Sequence, residues 1–215
     1  YIGIPVAIIV IVVYVKSKKD NLEPDHLLSS IETSYAPMPL NSIARDRQTA
    51  ALQKDDPKFS MPLFMDFVQA LYANTMHFGG KNQLDKMSAY LSEPVIKQFK
   101  TAMVGVKSIE NVIVGQCSIM GINLTAAEDN HITLAYETNY TVHMVNEDKP
   151  KTFFESSTWT LSRKKGVVSK GPGEIEKVGC PSCGGALDDN VEKKCAYCGT
   201  EFHDGDKAWY VKSVS

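Results

Sequence analysis

Five cysteines occur in the 215 residues, and four of them fall within nineteen consecutive positions. Cys180-Pro181-Ser182-Cys183-Gly184 and Cys195-Ala196-Tyr197-Cys198-Gly199 are two CxxCG turns, with eleven residues between Cys183 and Cys195. Each turn brings two sulfurs to one point, and the glycine behind it admits the left-handed backbone that aims amides at sulfur. Two such turns across a short hairpin close a tetrahedron of thiolates at about 2.3 Å, the coordination of a structural zinc ion. Cys180, Cys183, Cys195 and Cys198 are therefore the expected ligands, and four protein ligands leave no position for a reacting water. Iron of the rubredoxin type and a redox dithiol are the competing readings. Zinc binding would contribute on the order of 10 kcal/mol to folding a module with too few apolar residues for its own core. His203 lies close in sequence, but four cysteines suffice without it. Cys117, isolated in a strand pattern, reads as a small buried hydrophobe.

Zinc ribbons often contact nucleic acid, yet the charges here oppose it. Around the knuckles Glu174, Glu176, Asp188, Asp189, Glu192, Glu201, Asp204 and Asp206 outnumber Lys177, Lys193, Lys194 and Lys207. The whole chain carries a formal charge of -2, so no basic field draws in phosphate. Catalytic pairs are equally scarce. Asp66 lies off the apolar stripe of its helix. The apolar face of the strand 132–144 offers Tyr136, Thr138 and Tyr140, while Glu137 and His143 fall on the other face. No acid/base pair emerges, so the expectation is a protein that is not an enzyme.

The elements that would carry these residues follow from periodicity. Hydrophobic residues at 43% and charged residues at 22% are globular values and exclude a wholly disordered chain. Phe64, Phe67, Val68, Leu71 and Phe78 form one helical stripe, stopped by Gly79-Gly80. A second helical region runs through Leu84, Met87 and Leu91, and a third starts at Ser92-Glu93-Pro94 with Val95, Phe99 and Met103 inward. The period then changes to two. Val112 to Leu124 reads as a strand with bends at Gly115 and Gly121, and Ile132 to Met144 as a long half-buried strand. Thr152 to Arg163 carries Trp159 and Leu161 on one face. Trp209, Tyr210, Val211 and Val214 make a short final strand, expected beside the Trp159 strand with the ribbon inserted before it; completion of the ribbon itself is the competing place for it. Helices first and an antiparallel meander afterwards define an α+β domain.

Ahead of that domain the chain is apolar. Tyr1 to Val15 reads YIGIPVAIIVIVVYV without a charge, and Lys16, Lys18 and Lys19 follow. Fifteen helical residues span only about 22 Å of the roughly 30 Å hydrocarbon core, so further apolar residues are expected before Tyr1. A signal-peptide core is the competing reading, but a lysine flank stands where a small-residue cleavage site would be. The lysines put everything after them on the cytoplasmic side. Between membrane and domain, residues 16–56 read as a juxtamembrane linker with two short helical patches, Pro24 to Tyr35 and Ser42 to Lys54, the latter capped by Asn41; their thin apolar stripes fit the membrane surface, the domain or a plain spacer.

A hydrophobic segment, a polar spacer, Asp56-Pro57-Lys58-Phe59, the Phe64-to-Phe78 helix, Trp159-Thr160-Leu161 and a terminal CPxCG…CxYCG ribbon ending in Trp-x-Val resemble bacterial Tim-forty-four-like domain proteins. The resemblance covers about residues 55 to 215, and the ribbon is its most specific part. The apolar run is the expected transmembrane helix at 1–15, and the resemblance implies a nuclear-transport-factor-two-like cone at 57–170, with helices packed on an antiparallel sheet. The zinc ribbon is expected at 171–206 and a final strand at 207–215. The resemblance further implies a bacterial membrane-associated scaffold or adaptor; the apolar run, its lysine flank and the cysteines add the expectation of a single-pass inner-membrane protein with its C-terminal domain in the cytoplasm and a structural Zn2+. The lipid bilayer and unidentified protein partners would be its contacts, with no nucleic acid. An accessory subunit of a larger membrane protein complex and a small-ligand-binding or enzymatic cone are the alternatives.

Overall fold

A computed structural model describes residues 38–169 and 209–215. The segment 1–15, the patch from Pro24 to Tyr35 and the ribbon at 171–206 lie outside the described residues. Among the described residues no helix is long and apolar enough to cross a membrane.

Helix α1 (Ser42–Asp55) begins at Asn41, whose side-chain oxygen accepts a 2.8 Å bond from Ala44 N. This satisfies one of the orphan donors at a helix start. The sequence leaves this segment of the 16–56 linker open between the membrane surface, the domain and a plain spacer; the structure docks it on the domain. Leu52 is wholly buried, Ile122 N donates to Gln48 Oε1 at 3.0 Å, and Leu40 N donates to Ile119 O at 2.9 Å. One apolar residue and two hydrogen bonds dock an otherwise polar helix, too little for hydrophobic periodicity to reveal.

Helix α2 (Met61–Gly80) has Pro62 in its first turn, where the missing N–H costs nothing. It buries Phe64, Phe67, Val68 and Leu71 of the predicted stripe and a further row of Tyr72, Thr75 and Met76, while Phe78, the last residue of that stripe, is only half-buried. The region after it forms no second α-helix. Leu84–Met87 makes a single 3-10 turn, and Leu91 bridges in parallel to Val211. The reason lies in pairing: Ser92 N donates to Val211 O and Val211 N to Tyr90 O, which holds residues 90–92 extended. Helix α3 (Glu93–Ala102) follows, with Val95, Phe99 and Ala102 buried.

Four strands form one antiparallel sheet in sequence order: β1 (Val106–Asn123), β2 (Asp129–Met144), β3 (Lys151–Lys164) and β4 (Tyr210–Val214). β1 starts six residues earlier than periodicity suggests, and its pairing with β2 shifts register at four places. Two of these flank the bends expected at Gly115 and Gly121. The β2–β3 pairing runs without a shift from Asp129↔Lys164 to Val142↔Lys151. β4 lies against β3, with Trp159 opposite Val214. The chain thus leaves the sheet at the end of β3 and returns to the same strand through residues 170–208. The helices and the inner sheet face enclose one core, in which Trp159, Tyr72, Tyr136 and Tyr140 are among the largest fully buried side chains.

Gly79 and Gly80 do more than end α2. A Cβ on Gly80 would stand 2.5 Å from the backbone nitrogen of Ile109 in β1, whereas one on Gly79 would meet the flexible side chain of Met103. Gly80→Ala is expected to cost about 2–3 kcal/mol as overpacking against backbone. Gly79→Ala should cost less than about 1 kcal/mol, since Met103 can swing away and alanine favours the helix. Urea midpoints of the two variants check the ranking; equal midpoints would contradict it.

Candidate functional site

Two clusters of polar side chains sit inside this frame. The first gathers where the chain leaves and re-enters the sheet. Arg163 ends the inner face of β3 and Asp56 follows α1; each side chain is 1% exposed, and Arg163 Nη1 lies 2.7 Å from Asp56 Oδ2. Ser169 adds two bonds to the same carboxylate, from its N at 3.0 Å to Oδ1 and from its Oγ at 2.5 Å to Oδ2. The guanidinium also lies over the ring of Trp209, 4.5 Å from its centroid. Trp209 packs edge-on to Phe64 at 5.4 Å and to Phe59 at 6.4 Å. Burial alone would raise the Asp56 carboxyl. The side-chain and backbone bonds from Ser169, then the bond and charge of Arg163, outweigh that and hold it below its ordinary value of 3.8. Ser169 and Trp209, the described residues on either side of the ribbon segment, are thereby pinned to one spot.

The second cluster lies between α2 and the sheet. Tyr72 OH donates to Glu155 Oε2 at 3.0 Å, and the Thr138 hydroxyl, 2.8 Å away, donates to the Tyr72 oxygen. Burial raises the Glu155 carboxyl above its ordinary 4.5, opposed in part by the hydroxyls of Tyr72, Tyr140 and Ser157. Burial, reinforced by the Glu155 charge, raises both tyrosines in turn. Tyr136 OH donates to Val68 O at 3.0 Å. The rings around this network are packed: Tyr72 stacks on Tyr136 at 4.9 Å, and Trp159 lies 5.1 Å from Tyr72 and 5.3 Å from Tyr136.

Cys180, Cys183, Cys195 and Cys198, with His203, lie outside the described residues. Among the described residues no group of His, Cys, Asp and Glu could hold a metal ion. The donor set itself fits a structural zinc, since four thiolates in two CxxCG turns satisfy its tetrahedral preference. Cys117 is half-buried on the inner face beside Tyr136, and burial pushes its thiol up to about 11. That protonated thiol suits the apolar role expected of it. Asp66 and Glu137 are exposed, and His143 stands 3.5 Å from Glu110 across the outer face. Neither a protein-family model nor a curated protein matches the chain.

The sequence reading missed Glu155 and Arg163. Both share the parity of Trp159 on β3, so period-two alternation marks them as inward-facing; only their partners are hidden, 83 and 107 positions away.

Two outcomes follow from the opposite displacement of these carboxyls. Asp56→Ala leaves a buried guanidinium uncompensated and should cost about 3–5 kcal/mol. Because the folded state lowers the Asp56 pKa, its contribution is full above the unfolded value and disappears as pH falls through the folded one. Denaturation from pH 7 to 2 checks this: the gap between wild type and Asp56→Asn should narrow in acid, and a constant gap would refute it. Glu155 behaves in reverse, costing stability above its raised pKa and nothing below its unfolded value. Glu155→Gln should therefore be more stable than wild type at pH 8 and equal to it near pH 4. A variant less stable at pH 8 would overturn the assignment.

Proposed function

We propose that this chain is a membrane-anchored adaptor of the Tim-forty-four-like kind, a cone-type head carried by the apolar segment at 1–15 and fitted with a structural zinc ribbon. The observation that carries the reading is the filled interior. A cone fold that takes a small ligand needs open space between its helices and sheet, and here Tyr72, Tyr136 and Trp159 stack in that space within 5.3 Å of one another. Recognition then falls to the surface, the mode of a protein-binding module. The ribbon segment supports this, because its two neighbours, Ser169 and Trp209, are fixed to the Asp56–Arg163 pair. Zinc, held by Cys180, Cys183, Cys195 and Cys198, would supply folding energy and no reactive water. Lys16, Lys18 and Lys19 favour a cytoplasmic head at a bacterial inner membrane.

A small-ligand or enzymatic cone is the second reading, and one observation favours it: the Glu155 carboxyl is held among hydroxyls with a raised pKa, as general acids are. Service as an accessory subunit of a larger membrane protein complex shares the features of the adaptor. Crosslinking in intact cells followed by mass spectrometry is expected to recover at least one membrane-associated protein bound to the head. Recovery of the chain alone would end both interaction readings. Elemental analysis should find a single zinc ion per chain, lost together with ribbon structure on chelation; four free thiols and no metal in the native protein would remove the ribbon.

A further inference from the structure

α1 turns Gln48 and Leu52 toward the sheet and leaves its other side free. Ile43 is 80% exposed there, and Met38, just ahead of the helix, is 86% exposed. Beside this side, α1 and the first turns of α2 flank a groove of about 540 Å³. Arg45, Thr49 and Gln53 form its α1 wall, and Met61, Pro62 and Met65 its α2 wall. Both methionines are half-buried against the core. At one end Gln53 Nε2 donates to Phe59 O at 3.0 Å. At the other, Leu40 N donates to Ile119 O and Asn41 caps α1 one turn before Arg45.

The chain that arrives at this second end supplies an occupant. Pro24 to Tyr35 reads as a helical patch with Leu27, Leu28 and Ile31 on one side. Twelve residues are too few for a helix that stands alone in water, so that row needs a surface. Six residues, 36–41, join the patch to α1, an ordinary length for a connection between antiparallel helices. Charge selects the head over the bilayer as that surface. From Asp20 to Ala44 the chain has four acids, Asp20, Glu23, Asp25 and Glu32, and no lysine or arginine. Helices that lie on membranes carry Lys and Arg on their polar face, and an anionic leaflet repels a run of this sign. The head has the complementary sign. Between Ser42 and Ser60, Arg45, Arg47, Lys54 and Lys58 are set against Asp46 and Asp55, with Asp56 committed to Arg163.

We infer that the groove between α1 and α2 is the seat of the chain's own segment Pro24–Tyr35, packed as a helix antiparallel to α1. Folding back about the middle of the connection sets Leu28 level with Thr49 and Glu32 level with Arg45. The apolar row then meets Met61 and Met65, side chains that adapt to irregular contacts. The inference deepens the adaptor reading and rests on it for the bilayer. With the segment seated, residues 16–23 alone separate Val15 from the head, a tether of at most about 28 Å.

Photocrosslinking of the full chain in nanodiscs of phosphatidylcholine and phosphatidylglycerol tests this, with p-benzoylphenylalanine in place of Leu28. Benzophenone reacts readily with methionine side chains. Irradiation should give an intramolecular adduct on Met61 or Met65, located by peptide mass spectrometry. The same probe in place of Ser29, on the far side of the patch, should lose that adduct. Arg45→Glu should lower the Leu28 adduct about two- to fivefold, the worth of an exposed ion pair, and adding Glu32→Arg should restore it. Any result without an adduct at Met61 or Met65 overturns the inference. Lipid adducts would place the segment on the bilayer, adducts between chains would give the groove to a second copy, and adducts elsewhere on the head would move the seat. If it fails while in-cell crosslinks still reach a membrane-associated protein, the adaptor reading survives without this seat.

Discussion

A single buried ion pair holds together parts of the chain that no continuous element connects. Asp56 and Arg163 are both removed from water, and the Born cost of moving either ion alone inward is of order 20 kcal/mol before relaxation. Their contact at 2.7 Å and the two bonds from Ser169 offset that cost, so the net stabilisation is small while the penalty for breaking the set is large. The pair therefore acts as a specifier of arrangement more than as a source of stability. It dictates that the loop before α2, the end of β3 and the approach to β4 meet at one place. Trp209 closes the arrangement by covering the guanidinium face in a desolvated cation–π contact.

The degree to which this was legible in the residues varies with the range of the interaction. α2 is plain because its stripe from Phe64 to Phe78 repeats over about four turns, and β2 because apolar residues alternate from Ile132 to Met144 with Thr138 as the one polar member of the row. The short 3-10 turn at Leu84 was misread as α-helix because the deciding partner, Val211, lies 120 positions on; a parallel bridge between residues 91 and 211 leaves no local trace. α1 was read as linker for a related reason, since Leu52 alone carries its packing. Inward-facing Arg163 and Glu155 were marked by strand parity, yet parity identifies a buried charge without naming what neutralises it. Of the candidate sites, the four cysteines proposed as ligands rest on spacing alone, whereas the carboxylate clusters require the fold.

The two carboxyls show how one interior can impose opposite chemistry. Asp56 receives a cation and two directed bonds, so ionisation is favoured despite burial. Glu155 receives neutral hydroxyls, which solvate an anion less well than water does, so burial prevails. The first arrangement builds a joint. The second leaves a group whose charge depends on a network running from Thr138 through Tyr72. An interior packed with stacked rings and threaded by such a network resists rearrangement, which suits a head that presents surface rather than one that opens around a substrate.

The joint also sets how the last strand meets the sheet. Arg163 and Trp209 fix where β4 begins, and the register Trp159↔Val214 follows from that start. The same strand is read from its other side by Tyr90 and Ser92, both bonded to Val211. Anything that loosens Asp56 would free Trp209 and let β4 slip along β3, so the ion pair, the start of β4 and residues 90–92 belong to one mechanical unit built on β3.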